Sequence, residues 1–395
     1  MPRYLRRDAR SGAVSETIAR VCAREYARPC EGIFFNSASW GLVPDSSARE
    51  SADLTLSRNR THGFEERELG AAQHRCRSAL AELIGGSASE IALVPNTTFG
   101  MTLAAALVGS GPPGDVIVSA GEFPANVLPW KSLQQRGFRV VVVPCDSDAL
   151  PDETALLAAV ERQGVRALSV SMVQFASGYR ADLARLGAGC KAHDVLFCVD
   201  AIQGLGAAPF RVHDVHADVV SAGGQKWLCA PFGSGFTWIR RELLGRFDPP
   251  VPSWLALEGS PRVLDTRQYE QEWRGNARKF EPATLGVQDY LGLARSVEIL
   301  LEVGVESIRD HILHVHEPLI EWASARSDVR MWTPLESARR AGIISFFPPD
   351  VSTVAADLRR ERVVFSVRDG AIRFAPHFYN TVEEMERVVG LLAAG

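Results

Sequence analysis

The sequence is poor in the features that mark several large classes of protein. Its seven cysteines are odd in number and irregular in spacing, so they predict reduced thiols rather than a disulfide framework. No Cys-x-x-Cys pair and no Gly-Lys-Ser/Thr phosphate loop occurs, which argues against zinc modules and nucleotide hydrolases. No run of about 18 apolar residues is present either, so the sequence predicts no membrane span.

An excess of positive charge is also missing. The 43 Lys and Arg residues stand against 47 Asp and Glu, and the net charge of -4 gives no reason to expect nucleic acid or an anionic membrane as a partner. The arginine-rich N-terminus is not followed by an apolar segment, so we predict no signal peptide and expect a cytoplasmic protein. His311, His314 and His316 do not fall on one helix face, and we expect no metal site.

What is present is enough chain for two domains. The 395 residues are 46% hydrophobic, and domains usually contain roughly 100–200 residues. Apolar, β-branched runs alternate with helical stretches as far as residue 240, which is typical of a parallel α/β sheet. We therefore predict an N-terminal arm or helix at 1–30 that packs with the small domain, a large α/β domain at 31–285, and a small α+β domain at 286–395.

Two predicted strand ends carry the side chains around which the chain is organised. The apolar run at 195–199 predicts a strand that ends at Asp200, and a second strand at 217–221 precedes Gly223, Gly224, Gln225 and Lys226. Ligands of open α/β sheets bind at the carboxyl ends of the strands. A lysine amine that can hold an aldehyde, and a carboxylate that keeps a ring nitrogen protonated, are the groups that pyridoxal 5'-phosphate (PLP) requires. The pattern therefore predicts a PLP site.

A longer pattern contains both residues. It consists of Asp-x-x-Gln at 200–203, a Ser/Gly-rich turn, Lys-Trp-Leu at 226–228 and Pro-x-Gly-x-Gly at 231–235. This pattern resembles the class V aminotransferase family of fold-type I PLP enzymes, which includes cysteine desulfurases, C–S lyases, kynureninases and isopenicillin N epimerase. The resemblance extends over nearly the whole chain. It implies the fold-type I PLP-dependent transferase fold, with a mainly parallel seven-stranded sheet in the large domain, a small α+β C-terminal domain, and a homodimer with composite active sites.

The resemblance also assigns residues to the cofactor. Lys226 would hold PLP covalently, Asp200 would bind its pyridine nitrogen, and Gln203 its phenolic oxygen. Phe123 stands where cysteine desulfurases have a stacking histidine, and a phenyl ring can stack but cannot exchange a proton. Phosphate is expected where a strand, a Thr-Thr turn and a helix start follow one another. The remaining cofactor residues are Thr97, Thr98, Asn126, Gly223, Gln225 and Thr284, the last reaching the phosphate of the other subunit.

A second group of residues is expected to bind an amino-acid substrate. Arg373 is the family's candidate for the α-carboxylate, because a planar guanidinium makes two parallel hydrogen bonds. Asn36, Ser37 and Tyr179 are the other predicted substrate-binding residues. Cysteine desulfurases carry a longer loop with a catalytic cysteine here, whereas only residues 369–372 separate Arg368 from Arg373 and none is cysteine. We therefore expect no persulfide-forming desulfurase.

The fate of the carbanion at Cα stays open between several reactions. We favour a lyase that eliminates a substituent at Cβ of a sulfur-containing or similarly substituted amino acid, with Lys226 as the sole base. The closest alternative is an epimerase like isopenicillin N epimerase, with Tyr179 or His377 as a second base, and an aminotransferase is a third possibility. A binding protein without catalysis is the alternative from another class; the intact set of Asp200, Gln203, Lys226 and Arg373 argues against it.

Overall fold

The computed structural model describes residues 16–27, 31–60, 66–259 and 270–394. Most of the predicted arm at 1–30 lies outside these ranges. Its described part begins with helix α1 (Glu16–Glu25), which buries Ile18, Val21 and Cys22. The Cys22 thiol donates to the carbonyl oxygen of Phe378 (3.7 Å), so α1 packs against the C-terminal part of the chain.

A seven-stranded sheet forms the centre of the molecule, as predicted. After the short strand β1 (Ile33–Phe34), its strands are β2 (Ile91–Val94), β3 (Asp115–Ser119), β4 (Arg139–Val143), β5 (Val165–Ser171), β6 (Leu196–Asp200), β7 (Val219–Gly223) and β8 (Gly235–Ile239). The strand order is β2-β8-β7-β6-β5-β3-β4. Only β8 runs antiparallel to its neighbours, so the other six strands end at the same edge.

Helices cover both faces of this sheet. They are α2 (Asp45–Ser57), α3 (Glu66–Ile84), α4 (Thr97–Gly109), α5 (Leu128–Lys131), α6 (Glu153–Val160), α7 (Leu183–Ala192) and α8 (Val287–Val303). The strands are buried on both faces: in β6, Phe197 and Val199 belong to one apolar cluster and Cys198 to the other. This double burial explains why the strands are continuous apolar runs in the sequence.

The amphipathic pattern from residue 286 to 324, which by its spacing would suit one long helix, forms two helices in the structure. After α8, Gly304 adopts φ 84°, and α9 (Val305–Ser324) begins in a new direction. A positive φ favours glycine and interrupts an α-helix, which explains the break. Because α8 packs on α2 and α3, it associates with helices of the large domain. The domain boundary between 285 and 286 stays a prediction.

The C-terminal part contains a second sheet. β9 (Arg330–Met331), β10 (Ile344–Phe347), β12 (Ser366–Arg368) and β13 (Ala371–Phe374) pair in the antiparallel order β12-β13-β10-β9. β11 (Val363–Val364) pairs in parallel with β1, and α10 (Val351–Arg360) and α11 (Val382–Ala394) complete the unit. Within the described ranges, no helix has the length and apolar character that crossing a membrane requires.

Candidate active site

The carboxyl ends of the parallel strands form the floor of the site. Asp200 ends β6, and it is the register partner of Ser221 in β7. Gly223 ends β7, where a Cβ would overlap the side-chain oxygen of Gln225. Lys226 follows in the turn after β7, so the structure brings the predicted carboxylate and the predicted amine to the same edge of the sheet.

Burial and mutual attraction set the charges of this pair. Asp200 is 2% exposed, and burial raises its pKa to about 6, although the N–H of Ile202 (3.1 Å) and the charge of Lys226 lower it. Burial lowers the pKa of Lys226 to about 8; Asp200 opposes this shift, and Arg373 and Arg368 add to it. An amine with this pKa is partly uncharged near neutral pH, which a base or a nucleophile requires.

An exposed aromatic ring lies beside the lysine. The Phe123 side chain is 44% exposed, and its ring centroid lies 5.6 Å from Lys226 Nζ. The Phe175 ring meets it edge-on, with 5.3 Å between centroids. An exposed ring next to the amine suits stacking on a flat heteroaromatic group, which is the role predicted for Phe123.

The N-terminus of α4 lies at the same edge. Thr97 and Thr98 are its first two residues, and Asn96 caps it by accepting a hydrogen bond from the Phe99 N–H (2.9 Å). Thr98 is exposed, whereas Thr97 is buried and its Oγ1 has no hydrogen-bond partner among the described residues. A helix N-terminus with an unpartnered buried hydroxyl fits a phosphate group.

Two predicted cofactor residues are held by hydrogen bonds to the protein. Gln203 donates to the carbonyl oxygen of Ala38 (3.1 Å) and accepts from Trp227 Nε1 (2.9 Å). Its amide is thereby fixed, and one of its two N–H groups remains for a ligand. Asn126 is fully buried and accepts from the hydroxyl of Ser169 in β5 (2.6 Å), which fixes its side chain.

The sequence analysis missed one titratable group at this edge, Glu122. Its carboxylate accepts hydrogen bonds from the Ser171 N–H (2.8 Å) and from the Ser171 hydroxyl. Burial raises the pKa of Glu122 to about 7; Ser171 and Asn126 lower it, and Asp200 raises it further. Ser171 pairs with Asp200 in the sheet, so two carboxyl groups lie on neighbouring strand ends. In the sequence, the only indication of this role was that Glu122 directly precedes Phe123.

Arg373 forms the opposite wall. It is 2% exposed and donates to Ser366 Oγ (2.8 Å), to the carbonyl oxygen of Phe175 (2.6 Å) and to Ser39 Oγ (3.1 Å). Burial, helped by the charge of Arg368, lowers its pKa to about 9. Arg373 has no ion pair within the described part of the chain. A buried guanidinium without a carboxylate is an anion-binding group.

The segment after β1 supports this arginine. Asn36 Oδ1 accepts from the Ser39 hydroxyl (2.8 Å), and the same hydroxyl contacts Arg373. The Ser37 hydroxyl instead shares a hydrogen bond with Tyr379 (2.8 Å). Of the predicted pair, Asn36 therefore acts through Ser39, a residue that the sequence analysis did not assign.

The two candidate second bases are engaged elsewhere. Tyr179 donates to Glu153 (2.7 Å), and burial raises its pKa well above the usual range. His377 accepts from the Phe378 N–H at Nδ1 (2.7 Å) and lies 3.0 Å from the Trp227 carbonyl oxygen at Nε2, which fixes a neutral tautomer. Burial lowers the pKa of His377 to about 4. Both rings serve the packing of the loops that carry them.

Thr284 lies on the surface of the protomer. Its side chain is exposed and its backbone has φ 60°. The left-handed region is unfavourable for a β-branched residue, so the surroundings must hold this conformation. The predicted contact of Thr284 with the other subunit remains a prediction.

The family model for aminotransferase class-V matches residues 49–388 of the chain. The chain belongs to the class V aminotransferase family. Enzymes of this family use PLP, and the residues described above fit it: an amine beside a stacking ring, a buried carboxylate, and a helix N-terminus with an unpartnered hydroxyl. The cofactor is therefore pyridoxal 5'-phosphate.

Relatives within this family have diverse names. The chain is 25% identical to the uncharacterized aminotransferase YcbU of Bacillus subtilis, over 80% of this chain and 82% of that protein. It is 26% identical to isopenicillin N epimerase of Streptomyces clavuligerus, over 83% of this chain and 85% of that protein. A cysteine desulfurase structure from Thermococcus onnurineus superposes with a TM-score of 0.85 at 23% identity. The superposition covers 97% of this chain and 98% of that one, which shows the shared fold. These names do not single out one reaction.

Proposed function

We propose that the chain is a PLP-dependent lyase that eliminates a substituent from Cβ of an amino-acid substrate. PLP, when bound, supplies an electron sink that stabilises negative charge at Cα. The observation that carries the reaction type is that Lys226 has a pKa of about 8 while Tyr179 and His377 are both engaged in hydrogen bonds. One available base suits elimination.

Arg373 binds the substrate and Lys226 transfers its proton. The unpaired guanidinium of Arg373 binds the substrate α-carboxylate, oriented by Ser366, Ser39 and the Phe175 carbonyl. This contact holds the Cα–H bond of the substrate toward the edge of the sheet where Lys226 lies. The Lys226 amine takes the Cα proton and can return it to the departing group, since its pKa allows both forms near neutral pH.

Epimerisation is disfavoured because it requires a proton donor on the other face of Cα. Glu122, whose pKa is raised by burial to about 7, has both carboxylate oxygens engaged by Ser171. His377 has both ring nitrogens engaged by backbone groups. The site therefore favours removal of one proton and loss of a leaving group.

Persulfide formation is disfavoured because none of the cysteines that the structure describes offers a suitable thiol. Asp369 (φ 48°) and Gly370 (φ 81°) form the turn between β12 and β13, which is too short for a mobile loop. Cys229 is the cysteine that follows Lys226 most closely, and burial raises its pKa to about 12. A buried, protonated thiol is a poor nucleophile.

The active unit in this proposal is a cytoplasmic homodimer with composite sites, divided into domains at 31–285 and 286–395. An exposed Thr284 held at φ 60° supports the dimer, because a contact from a second subunit would stabilise that conformation. The proposed ligand is a small-molecule amino-acid substrate, with no nucleic-acid or membrane partner.

The test is a product assay on the holoenzyme with a panel of β-substituted amino acids and thioether conjugates, without an added keto acid. We expect release of a thiol, and of a keto acid and ammonia after water hydrolyses the eliminated product. We also expect loss of all three products in Lys226→Ala and a large rise in KM in Arg373→Gln. Conversion to the D-isomer would identify an epimerase. Dependence on an added keto acid would identify an aminotransferase. Formation of a persulfide would identify a cysteine desulfurase.

A further inference from the structure

Two aromatic residues connect Arg373 with Lys226. The Phe175 carbonyl oxygen accepts a hydrogen bond from Arg373 Nη1 (2.6 Å). The Phe175 ring meets the Phe123 ring edge-on, with 5.3 Å between centroids and an interplanar angle of 74°. The Phe123 centroid in turn lies 5.6 Å from Lys226 Nζ. A chain of contacts therefore runs from the guanidinium through Phe175 and Phe123 to the amine.

Core packing does not account for these two rings. The Phe123 side chain is 44% exposed, and Phe175 is half-buried. Neither residue belongs to the three apolar clusters found among the described residues, or to the partly buried residues packed against them. Phe123 already has a proposed role, which is to stack on PLP, whereas Phe175 has none. A partly open ring next to the arginine that binds the substrate is available to a ligand.

The loop that carries Phe175 is fixed to the loop that carries Phe123. The side-chain amide of Gln174 donates to the carbonyl oxygen of Gly121, the second residue before Phe123. Gln174 Oε1 accepts from the Ala176 N–H (2.6 Å), on the other side of Phe175. Because one side chain joins the two segments, the edge-on arrangement of the rings is preorganised before a ligand binds.

Charged groups near the rings do not offer a good site for a charged substituent. Glu122, which precedes Phe123, has both carboxylate oxygens engaged by Ser171. The charge of Arg368 acts on the amine and the guanidinium of the site, but its side chain is exposed and donates to the Val367 carbonyl oxygen (2.9 Å). An ion pair with a solvated arginine contributes little, so an apolar substituent gains more from this part of the site.

We propose that Phe175 selects substrates whose β-substituent carries an apolar and preferably aromatic group, such as an S-aryl thioether of cysteine. This inference rests on the proposed function, because the substrate side chain extends past Phe175 only when Arg373 holds the α-carboxylate. An aromatic substituent removes apolar area from water and makes a favourable ring–ring contact, whereas a phenyl ring offers a carboxylate no hydrogen bond. Phe175 acts on the substituent and not on the reacting atoms, so it determines specificity.

The test measures binding to the holoenzyme through the change in PLP absorbance, with three amino acids that carry no leaving group. They are homophenylalanine, which has the shape of S-phenylcysteine with a methylene in place of sulfur, the small 2-aminobutanoate and the acidic 2-aminoadipate. We expect wild type to bind homophenylalanine at least about tenfold more tightly than 2-aminobutanoate, and Phe175→Ala to bind the two about equally. Phe175→Leu should keep part of the preference, and it replaces the alanine variant if that one fails to fold.

The matched control is Phe347→Ala in β10, which also removes a half-buried ring, one that packs against Trp332 with 5.4 Å between centroids. This variant should bind all three amino acids as wild type does. Equal binding of homophenylalanine and 2-aminobutanoate to wild type, or a preference that survives in Phe175→Ala, would overturn the proposal. Tightest binding of 2-aminoadipate would also overturn it and assign specificity to Arg368.

The ligands separate this proposal from the proposed reaction. None of the three can undergo elimination, so their binding reports on the substituent alone. If homophenylalanine binds as expected and S-phenylcysteine releases no thiophenol, the specificity of Phe175 stands and the lyase is wrong.

Discussion

Lys226 shows how neighbouring charges tune a single side chain. Burial lowers its pKa to about 8, and the exposed Arg368 contributes to that shift. The base form of the amine therefore increases as the pH rises through about 8. Replacing Arg368 by Gln removes a positive charge, so protonated Lys226 becomes more stable and its pKa rises.

Lys226 is a free amine only after the substrate has displaced it from PLP, so its titration governs kcat. We accordingly expect kcat of wild type to increase with pH through about 8, and the Arg368→Gln variant to show the same increase at higher pH. Arg360→Gln, which removes an exposed charge on α10, should leave the profile in place. The measurement is the pH dependence of the initial rate for wild type, Arg368→Gln and Arg360→Gln. An unmoved profile in Arg368→Gln would show that this charge does not act on the base.

Glu122 should make stability depend on pH. Its pKa rises from 4.5 to about 7 on folding, so the unfolded chain ionises first and the folded state loses relative stability as the pH rises between these values. Glu122→Gln removes this contribution. We expect the melting temperature of the variant to fall less than that of wild type between pH 4.5 and 7, whereas Glu161→Gln, a change at the end of α6, should track wild type.

Motif spacing was sufficient to find Asp200 and Lys226, because their roles follow from residue type and strand ends. It was insufficient for Ser39, whose hydroxyl meets Arg373 across 334 positions of chain. It was also insufficient for His377, since the two backbone groups that engage the ring are known only once the loops are folded.

At the scale of elements, α4 packs so closely against the sheet at Gly100 that a side chain at this position would not fit. At Gly100 a Cβ would overlap the hydroxyls of Ser221 and Thr237 in β7 and β8. The family resemblance implied the seven-stranded sheet, and the start of α4 was predicted from a strand that is followed by a Thr-Thr turn. The break at Gly304 was not predicted, because the apolar spacing of α8 continues into α9 and a lone glycine inside such a pattern is ambiguous.

Gly100→Ala should therefore displace the N-terminus of α4. We expect overpacking to cost about 1–3 kcal/mol of stability and to weaken PLP retention, because Thr97 and Thr98 move with the helix. The matched control is Gly390→Ala in α11, where a Cβ meets nothing within 4 Å and the change should be neutral or slightly stabilising. Urea unfolding and PLP absorbance after dialysis measure both effects; equal behaviour of the two variants would contradict the close approach.

At the scale of the whole molecule, the proposed composite site makes a prediction that no single protomer can satisfy. If Thr284 serves the phosphate of the other subunit, Lys226→Ala and Thr284→Ala damage different halves of one site. A mixed dimer of the two variants then contains one intact site, formed by Lys226 of the Thr284→Ala chain and Thr284 of the Lys226→Ala chain. We expect each variant alone to be weak and the refolded mixture to regain activity.

The control places both substitutions on the same chain. When Lys226→Ala and Thr284→Ala are combined in one chain and mixed with wild type, the wild-type Lys226 faces a partner without the threonine hydroxyl, and no site in the mixed dimer is intact. When the mixed dimers are purified from the homodimers, activity should therefore be found only when the changes are on separate chains. Activity only in the mixed dimer that carries both changes on one chain would mean that the exposed threonine at φ 60° acts within its own protomer, and that the strain in its backbone has another cause.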